Sequence, residues 1–178
     1  MLQVYGFERV AVVFGDLFFI DPQPGKGQEG AERGVRLEVR LLERGELRGT
    51  IYSAQPIAVE QPVWRVDLLE SVAGPAGSFD RTHHHPRFTD WEPGGRSYVR
   101  ELSADPLPWL EDRLEHLGEV LEAADVPPTE VGDGDVAAVA DAAPEIVAAV
   151  GRLLDRVRAG EVATPPGGEL TSARIGWL

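Results

Sequence analysis

The ten residues Gly34 to Glu43, GVRLEVRLLE, decide how the first half of the chain folds. Valine or leucine occupies positions 35, 37, 39 and 41, whereas arginine or glutamate occupies positions 36, 38 and 40. Successive side chains of a strand point to opposite faces, so this period of two indicates an antiparallel strand with one buried and one polar face. A helix would instead need apolar residues at every third or fourth position.

Similar runs continue through residues 1–100, and turn residues separate them. The predicted strands are Leu2–Tyr5, Arg9–Phe14, Leu17–Ile20, Gly34–Glu43, Leu47–Ala54, Pro62–Ser71 and Phe79–His85. Six or seven short antiparallel strands at this spacing predict a β-sandwich or a partly open barrel.

The period changes after residue 101. Asp105 and Pro106 form a typical N-cap and first helical residue, and apolar residues then recur at intervals of three and four from Leu107 to Ala124. A break follows over residues 125–135, then a short turn over 136–142. The pattern predicts a second amphipathic helix from Pro144, closed by Gly160.

Together these periods predict one α+β domain over residues 1–178, in which two main helices pack on an antiparallel β unit. Residues 1–100 form its β-rich part, residues 101–160 its helical part and residues 161–178 a tail. We expect Ile175 and Trp177 to anchor that tail.

Composition excludes several classes of protein. The chain has 178 residues, of which 43% are hydrophobic and 26% charged, as in globular domains. It has no cysteine, which excludes a disulfide framework, thiolate catalysis and sulfur-ligated zinc. The most apolar run, Val10 to Ile20, is shorter than the roughly 20 residues that span a bilayer, and no basic signal-peptide start precedes it. We therefore expect a cytoplasmic protein that contacts no membrane.

Charge is distributed unevenly along the chain. The net charge is −13, and residues 1–100 carry 14 acids and 12 bases, whereas residues 101–178 carry 16 acids and 5 bases. An acidic surface repels nucleic acid and anionic membranes. We therefore regard nucleic acid as an unlikely partner and a basic protein as a suitable one for the helical part.

Three of the four histidines stand together in SFDRTHHHPRFTDWEPGGR, residues 78–96. On a strand, His83 and His85 point to one face about 7 Å apart at Cα, close enough to bind one metal ion together. Two ligands are too few. The candidates for a third ligand carry a carboxylate or an imidazole: Asp67, Glu70, Asp90 and His116. We expect a metal set of His83 and His85 with Asp67 or Asp90, holding Zn, Fe or Mn to polarise a water or a substrate oxygen.

The spacing Gly77, His83-x-His85, Asp90, Gly95 resembles the first metal motif of the cupins. That resemblance implies that His83, His85 and Asp90 bind a metal ion. Asp90 stands where the cupin motif has a glutamate, Gly95 comes two residues early, and no second cupin motif with another histidine follows.

A second resemblance uses the opposite face of the same segment. Asp80, three residues, and then His84-His85-Pro86 is similar to the Asp-x-x-x-His-His-Pro segment of TumE-type bacterial toxins. It implies a polar active-site group of Asp80, His84 and His85, although the second histidine cluster of those toxins is missing. As a whole, the chain resembles conserved hypothetical proteins of GC-rich bacteria, which implies no particular activity.

Arginine is concentrated beside the histidines, at positions 81, 87, 96 and 100. Arginines that converge with a neutral histidine can hold a phosphate or carboxylate while the imidazole acts as general base. The catalytic candidates are therefore Arg81, His84 and Arg96, acting on a small anionic ligand. The structural alternative is that these side chains only form ion pairs on an edge strand.

Three functions stay open at this level. The first is a metal-binding protein, enzymatic or not, and the second is a binding or regulatory protein of the toxin–antitoxin or immunity kind. The third is a ribonuclease-like toxin, which the acidic balance disfavours. Two further motifs have simpler explanations. The segment GKGQEG, residues 25–30, is predicted to be a solvated hairpin loop, because a strand rather than a helix follows it. The segment DGD, residues 133–135, is predicted to be a helix N-cap rather than a calcium loop.

Overall fold

The computed structural model describes residues 1–165, and the predicted anchors Ile175 and Trp177 lie outside this range. Its strands are β1 (Leu2–Gly6), β2 (Val10–Ile20), β3 (Ala31–Arg44), β4 (Ile57–Ser71) and β5 (His83–His85), followed by a small hairpin of β6 (Phe88–Thr89) and β7 (Glu92–Pro93). Its helices are α1 (Arg100–Ala104), α2 (Pro106–Glu115), α3 (Leu117–Ala123) and α4 (Asp135–Arg158), with a 3₁₀ turn at Pro128–Glu130. No helix within residues 1–165 is both long and apolar enough to cross a membrane.

One face of the main sheet is apolar and lies under the helices. Its central residues are almost completely buried: Val10, Val12, Phe14, Val35, Leu37, Val39, Trp64, Val66 and Leu68. They share one continuous core with the leucines of α2 and α3 and with the apolar stripe of α4. The period of two on the strands and the period of 3.6 on the helices thus meet in a single core.

The α+β class predicted from these two periods is confirmed. The arrangement differs in detail from a sandwich or a partly open barrel, because the main strands form one antiparallel sheet in the order β1-β2-β3-β4-β5. The helices cover its apolar face, so no second sheet is needed for burial.

Three strand predictions are wrong. The predicted strand Phe79–His85 is reduced to β5, His83–His85, because residues 79–82 form a turn in which Phe79 has a φ of +47°. Gly15 and Asp16 do not interrupt the second strand, because β2 pairs with β3 without a break from Val10 to Ile20. The run Leu47–Ala54 is not a strand but part of the loop between β3 and β4. Its apolar residue Ile51 is 83% exposed, which shows that this segment does not pack against a neighbouring strand.

The helix predictions need two corrections. The first predicted helix is divided at His116, whose ψ of 37° ends α2 before α3 begins. The second starts earlier, at Asp135, and runs through Pro144 without a break. A proline costs one backbone hydrogen bond, about 3 kcal/mol in a helix interior. Burial of the α4 stripe on both sides of Pro144, including Val139 and Ile146, outweighs that cost.

Asp135 connects the two parts of the fold. Its carboxylate, 1% exposed, accepts backbone N–H bonds from Glu8 at 2.7 Å, Arg9 at 3.0 Å and Gly132 at 2.8 Å. The N-cap position belongs to Gly134, and no side chain caps it. The DGD motif therefore ties the β1–β2 turn to the start of α4.

Candidate metal centre

The other face of the sheet is polar where β3, β4 and β5 lie side by side. The strand register aligns two rows of three residues across these strands: Arg36, Asp67 and His83 in one, Glu38, Arg65 and His85 in the next. Opposite charges are therefore neighbours both across and along the strands, an arrangement that stabilises sheets.

Asp67, His83 and His85 direct one ligand atom each to a common point. The Nε2 atoms of His83 and His85 lie 3.4 and 3.8 Å from Oδ2 of Asp67, and no two of the three ligand atoms are more than 4.8 Å apart. Two ligands bonded at about 2.0–2.1 Å to a tetrahedral ion are roughly 3.4 Å apart. A small contraction would therefore place all three around one ion.

The backbone determines which imidazole nitrogen carries the proton. Nδ1 of His83 lies 2.9 Å from the carbonyl oxygen of Arg81, and Nδ1 of His85 lies 2.7 Å from that of Gly94. A carbonyl oxygen can only accept, so Nδ1 is protonated in both rings and a neutral ring presents a lone pair at Nε2. Both lone pairs face a carboxylate oxygen of Asp67, which also only accepts.

Both rings favour the neutral state. Burial lowers the pKa of His83 and of His85 below 6.5, and the negative charge of Asp67 opposes this only in part. The positive charges of Arg36 and Arg65 act in the same direction as burial. A neutral imidazole is the form that ligates metal ions.

Arg36 holds the carboxylate of Asp67 in position. Its Nε donates to Oδ1 at 2.6 Å and its Nη2 to Oδ2 at 3.2 Å. Burial alone would raise the pKa of Asp67, but the charge and hydrogen bonds of Arg36, supported by His83 and Arg65, hold it below 3.8. The shorter bond is made to Oδ1, and Oδ2, which accepts the longer one, faces the imidazoles. Carboxylates that bind metal ions are usually held by hydrogen bonds of this kind.

Residues of the second row, Glu38 and Arg65, help to hold the β6–β7 hairpin over this face. Glu38 accepts from Arg65 at 2.7 Å and from Arg40 at 3.1 Å. The same two guanidinium groups stack on aromatic rings, Arg65 at 4.9 Å from the centroid of Phe88 and Arg40 at 5.4 Å from that of Trp91. These cation–π contacts hold the β6–β7 hairpin over the polar face.

The loop between β2 and β3 reaches the same region. Gln28 is hydrogen-bonded to the hydroxyl of Tyr98, and Arg96 donates to Gln28 at 2.9 Å and to Asp21 at 3.3 Å. The Tyr98 ring lies 5.7 Å from that of His83. The GKGQEG segment is thus a hairpin loop, as predicted, and it closes one side of the site.

The structure brings one of the predicted third ligands to the histidine pair. That residue is Asp67, whereas Asp90 lies in the exposed turn between β6 and β7 with a φ of +53°. Glu70 is an odd number of residues from Asp67, so it points to the other face, where Arg158 donates to it at 2.8 Å. His116 lies at the junction of α2 and α3.

His84 points away from the triad. Its ring packs under the helices, 6.3 Å from Trp64 and 5.3 Å from Trp109. Burial lowers its pKa, and the charges of His85 and Arg113 add to this. Asp80 does not accompany it, because its carboxylate accepts from the backbone N–H of Ser71 and from the hydroxyl of Ser78.

The two predicted catalytic arginines are occupied by the protein itself. Arg81 lies 3.8 Å from Glu32 and 3.6 Å from Asp80, and it also donates to backbone carbonyls of the β2–β3 loop. Arg96 is held by Gln28 and Asp21, as described above. Both guanidinium groups position the loops around the triad.

Sequence reasoning missed the role of Arg36. The signal was present, since Arg36 lies on the polar face of the alternating segment Gly34–Glu43. Its partner depended on the pairing of β3 with β4, which places Arg36 directly opposite Asp67.

Comparisons with known proteins produced no match: no family model, no curated protein and no solved structure resembles the chain closely enough to count as one. The function is therefore argued from the chemistry of the triad itself.

Proposed function

We propose that this protein binds one divalent transition-metal ion through Asp67, His83 and His85. The observation that carries the proposal is that Nδ1 of each imidazole contacts a backbone carbonyl oxygen, so that Nε2 faces Asp67. Both Nδ1–H groups are engaged by backbone carbonyls, so two Nε2 lone pairs and a carboxylate oxygen meet at one point. A cation satisfies all three at once, and the backbone contacts at Nδ1 are the usual outer partners of metal-ligating histidines.

The ligand types support zinc, iron(II) or manganese(II). Two imidazoles and one carboxylate occur in catalytic zinc sites and in non-haem iron sites. Three protein ligands leave a coordination position for water or substrate, unlike the four of a structural zinc site. When bound, such an ion lowers the pKa of a water or polarises a substrate oxygen.

We propose further that the ion serves a reaction on a small anionic substrate such as a carboxylate or phosphate. The rows across the strands place the guanidinium groups of Arg36 and Arg65 beside the ligands, and an anion would approach the ion by sharing these groups with Asp67 and Glu38. The substrate must be small, because the three ligand residues are only 1–6% exposed. A cytoplasmic location stays our prediction from the sequence.

Metal analysis of the untagged protein tests the proposal. His83→Ala and His85→Ala each remove one ligand, whereas His84→Ala changes the histidine between them, which faces the helices. We expect the natural protein and His84→Ala to retain one equivalent of metal after loading and gel filtration. The two ligand variants should bind at least about tenfold more weakly, because the loss of even an outer partner of a ligand typically costs about 10–100-fold in metal affinity.

Two results would contradict the proposal. One is a natural protein that keeps no zinc, iron(II) or manganese(II) after separate loading with each. The other is equal metal retention by His83→Ala and His84→Ala. Circular dichroism of each variant confirms that the comparison is between folded proteins.

A further inference from the structure

A groove opens between α3 and the start of α4, far along the chain from the metal ligands. We call it the α3–α4 groove. It has a volume of about 660 Å³, and the residues that line it include Val126, Val131, Val136, Glu122, Asp125 and Asp133. Three acids and no lysine or arginine are among these residues.

The floor of the groove is apolar. Val126, Val131 and Val136 are only partly buried, although they pack against the main core. The groove is open at Gly118, since a Cβ at this position would meet only Cγ1 of Val136, at the ordinary contact distance of 3.8 Å. Two consecutive prolines stiffen one wall, so the groove is largely formed before anything binds.

The rim of the groove is acidic. Glu122, Asp125 and Asp133 are all exposed there. Asp125 already holds an arginine of its own chain, since Nη1 of Arg87 lies 3.2 Å from it with side chains 64% and 79% exposed. Exposed pairs of this kind contribute little to stability, so an arginine of another molecule can replace Arg87.

We propose that the α3–α4 groove binds a short segment of a partner protein in which aliphatic side chains are flanked by arginine or lysine. The apolar floor buries the aliphatic side chains, and the acids of the rim pair with the basic ones. The same acids repel nucleic acid and anionic membranes. The groove is formed by the helices that cover the apolar face of the sheet, whereas the metal ligands lie on the polar face.

The probe for a binding test is a fluorescein-labelled peptide, Arg-Arg-Leu-Leu-Arg-Arg, measured by fluorescence anisotropy against the full chain. Two control peptides separate the contributions: Arg-Arg-Gly-Gly-Arg-Arg keeps only the charge, and Ser-Ser-Leu-Leu-Ser-Ser keeps only the leucines. We expect the probe to bind at least about tenfold more tightly than either control, and more weakly as salt screens the rim.

The variants locate the binding site. Gly118→Phe fills the groove without a backbone clash, and Glu122→Arg reverses one rim charge; each should weaken binding of the probe at least about tenfold. Glu115→Arg makes the same charge change on an exposed residue of α2 outside the groove, and it should leave binding within about twofold.

The proposal is overturned if the natural protein does not bind the probe. It is also overturned if the charge-only peptide binds equally well, or if Glu115→Arg weakens binding as much as Glu122→Arg, because the interaction would then be general charge attraction. Should Gly118→Phe prove unfolded by circular dichroism, the comparison of Glu122→Arg with Glu115→Arg decides alone.

Discussion

Asp67→Asn should be the most costly conservative substitution on the polar face. Asp67 is 1% exposed and accepts two hydrogen bonds from Arg36, at 2.6 and 3.2 Å. The asparagine removes the carboxylate that is hydrogen-bonded to the guanidinium of Arg36, and the negative charge of Glu38, two residues along β3, remains near it. Breaking a buried ion pair by removing one partner costs about 3–5 kcal/mol, a large share of the roughly 5–15 kcal/mol that stabilises a domain.

The same substitution at an exposed pair is the matched control. Asp125 lies 3.2 Å from Arg87, and the two side chains are 79% and 64% exposed. Surface pairs contribute less than about 1 kcal/mol. Asp125→Asn therefore makes the same chemical change without the burial, and the difference between the two variants measures what burial adds.

Urea unfolding in the presence of EDTA provides the measurement, since the chelator removes any contribution from metal binding. With a slope of about 2 kcal/mol per molar urea, Asp67→Asn should lower the unfolding midpoint by roughly 1.5–2.5 M. Adding Arg36→Met to Asp67→Asn should recover part of the loss, because it removes the unpaired charge. Equal midpoints for Asp67→Asn and Asp125→Asn would refute the buried pair and the geometry built on it.

Three other predictions concern stability. Asp135→Ala leaves three backbone N–H groups without their acceptor, one of them buried and two part-buried. It should cost about 3–5 kcal/mol in urea unfolding. A loss below about 1 kcal/mol would count against its role in connecting the two parts of the fold. Gly34→Ala places a Cβ 1.9 Å from the carbonyl oxygen of Leu68. Because this clash forces β3 away from β4, it should lower the free energy of unfolding by about 3 kcal/mol. A thermal midpoint equal to that of the natural protein would disprove this. Burial lowers the pKa of His84 below 6.5, so on acidification the unfolded chain takes up a proton there before the native one, and the free energy of unfolding should fall as the pH drops below 6.5. His84→Phe should reduce that slope by up to about 1.4 kcal/mol per pH unit, and an unchanged pH profile in urea would refute this.

Much of the site followed from strand periodicity. Residues two apart on a strand share a face, so His83 and His85 were expected together. For the third ligand the sequence predicted either Asp67, on the preceding strand, or Asp90. The competing candidates Asp90 and His116 could not be separated from Asp67, since their positions depend on the β6–β7 turn and on the helix packing.

The wrong secondary-structure predictions also arose because tertiary contacts, and not the local sequence, decide these segments. Pro144 and the pair Gly15-Asp16 are local signals of a break, yet α4 and β2 continue through them. In both cases the element lies against the core over its whole length, and burial outweighs a local preference. The run at Leu47–Ala54 had a strand-like composition but no neighbouring surface.

The sequence by itself determined the two kinds of secondary structure, the faces of the strands and the pairing of two histidines on one face, because these depend only on spacing along the chain. The tertiary structure alone decided which acid joins those histidines, which nitrogen of each ring is free, and that Arg36 holds the acid in place. Those features depend on strand register and on carbonyl groups contributed by Arg81 and Gly94. Register and turn geometry arise from contacts across the fold, which no local pattern specifies.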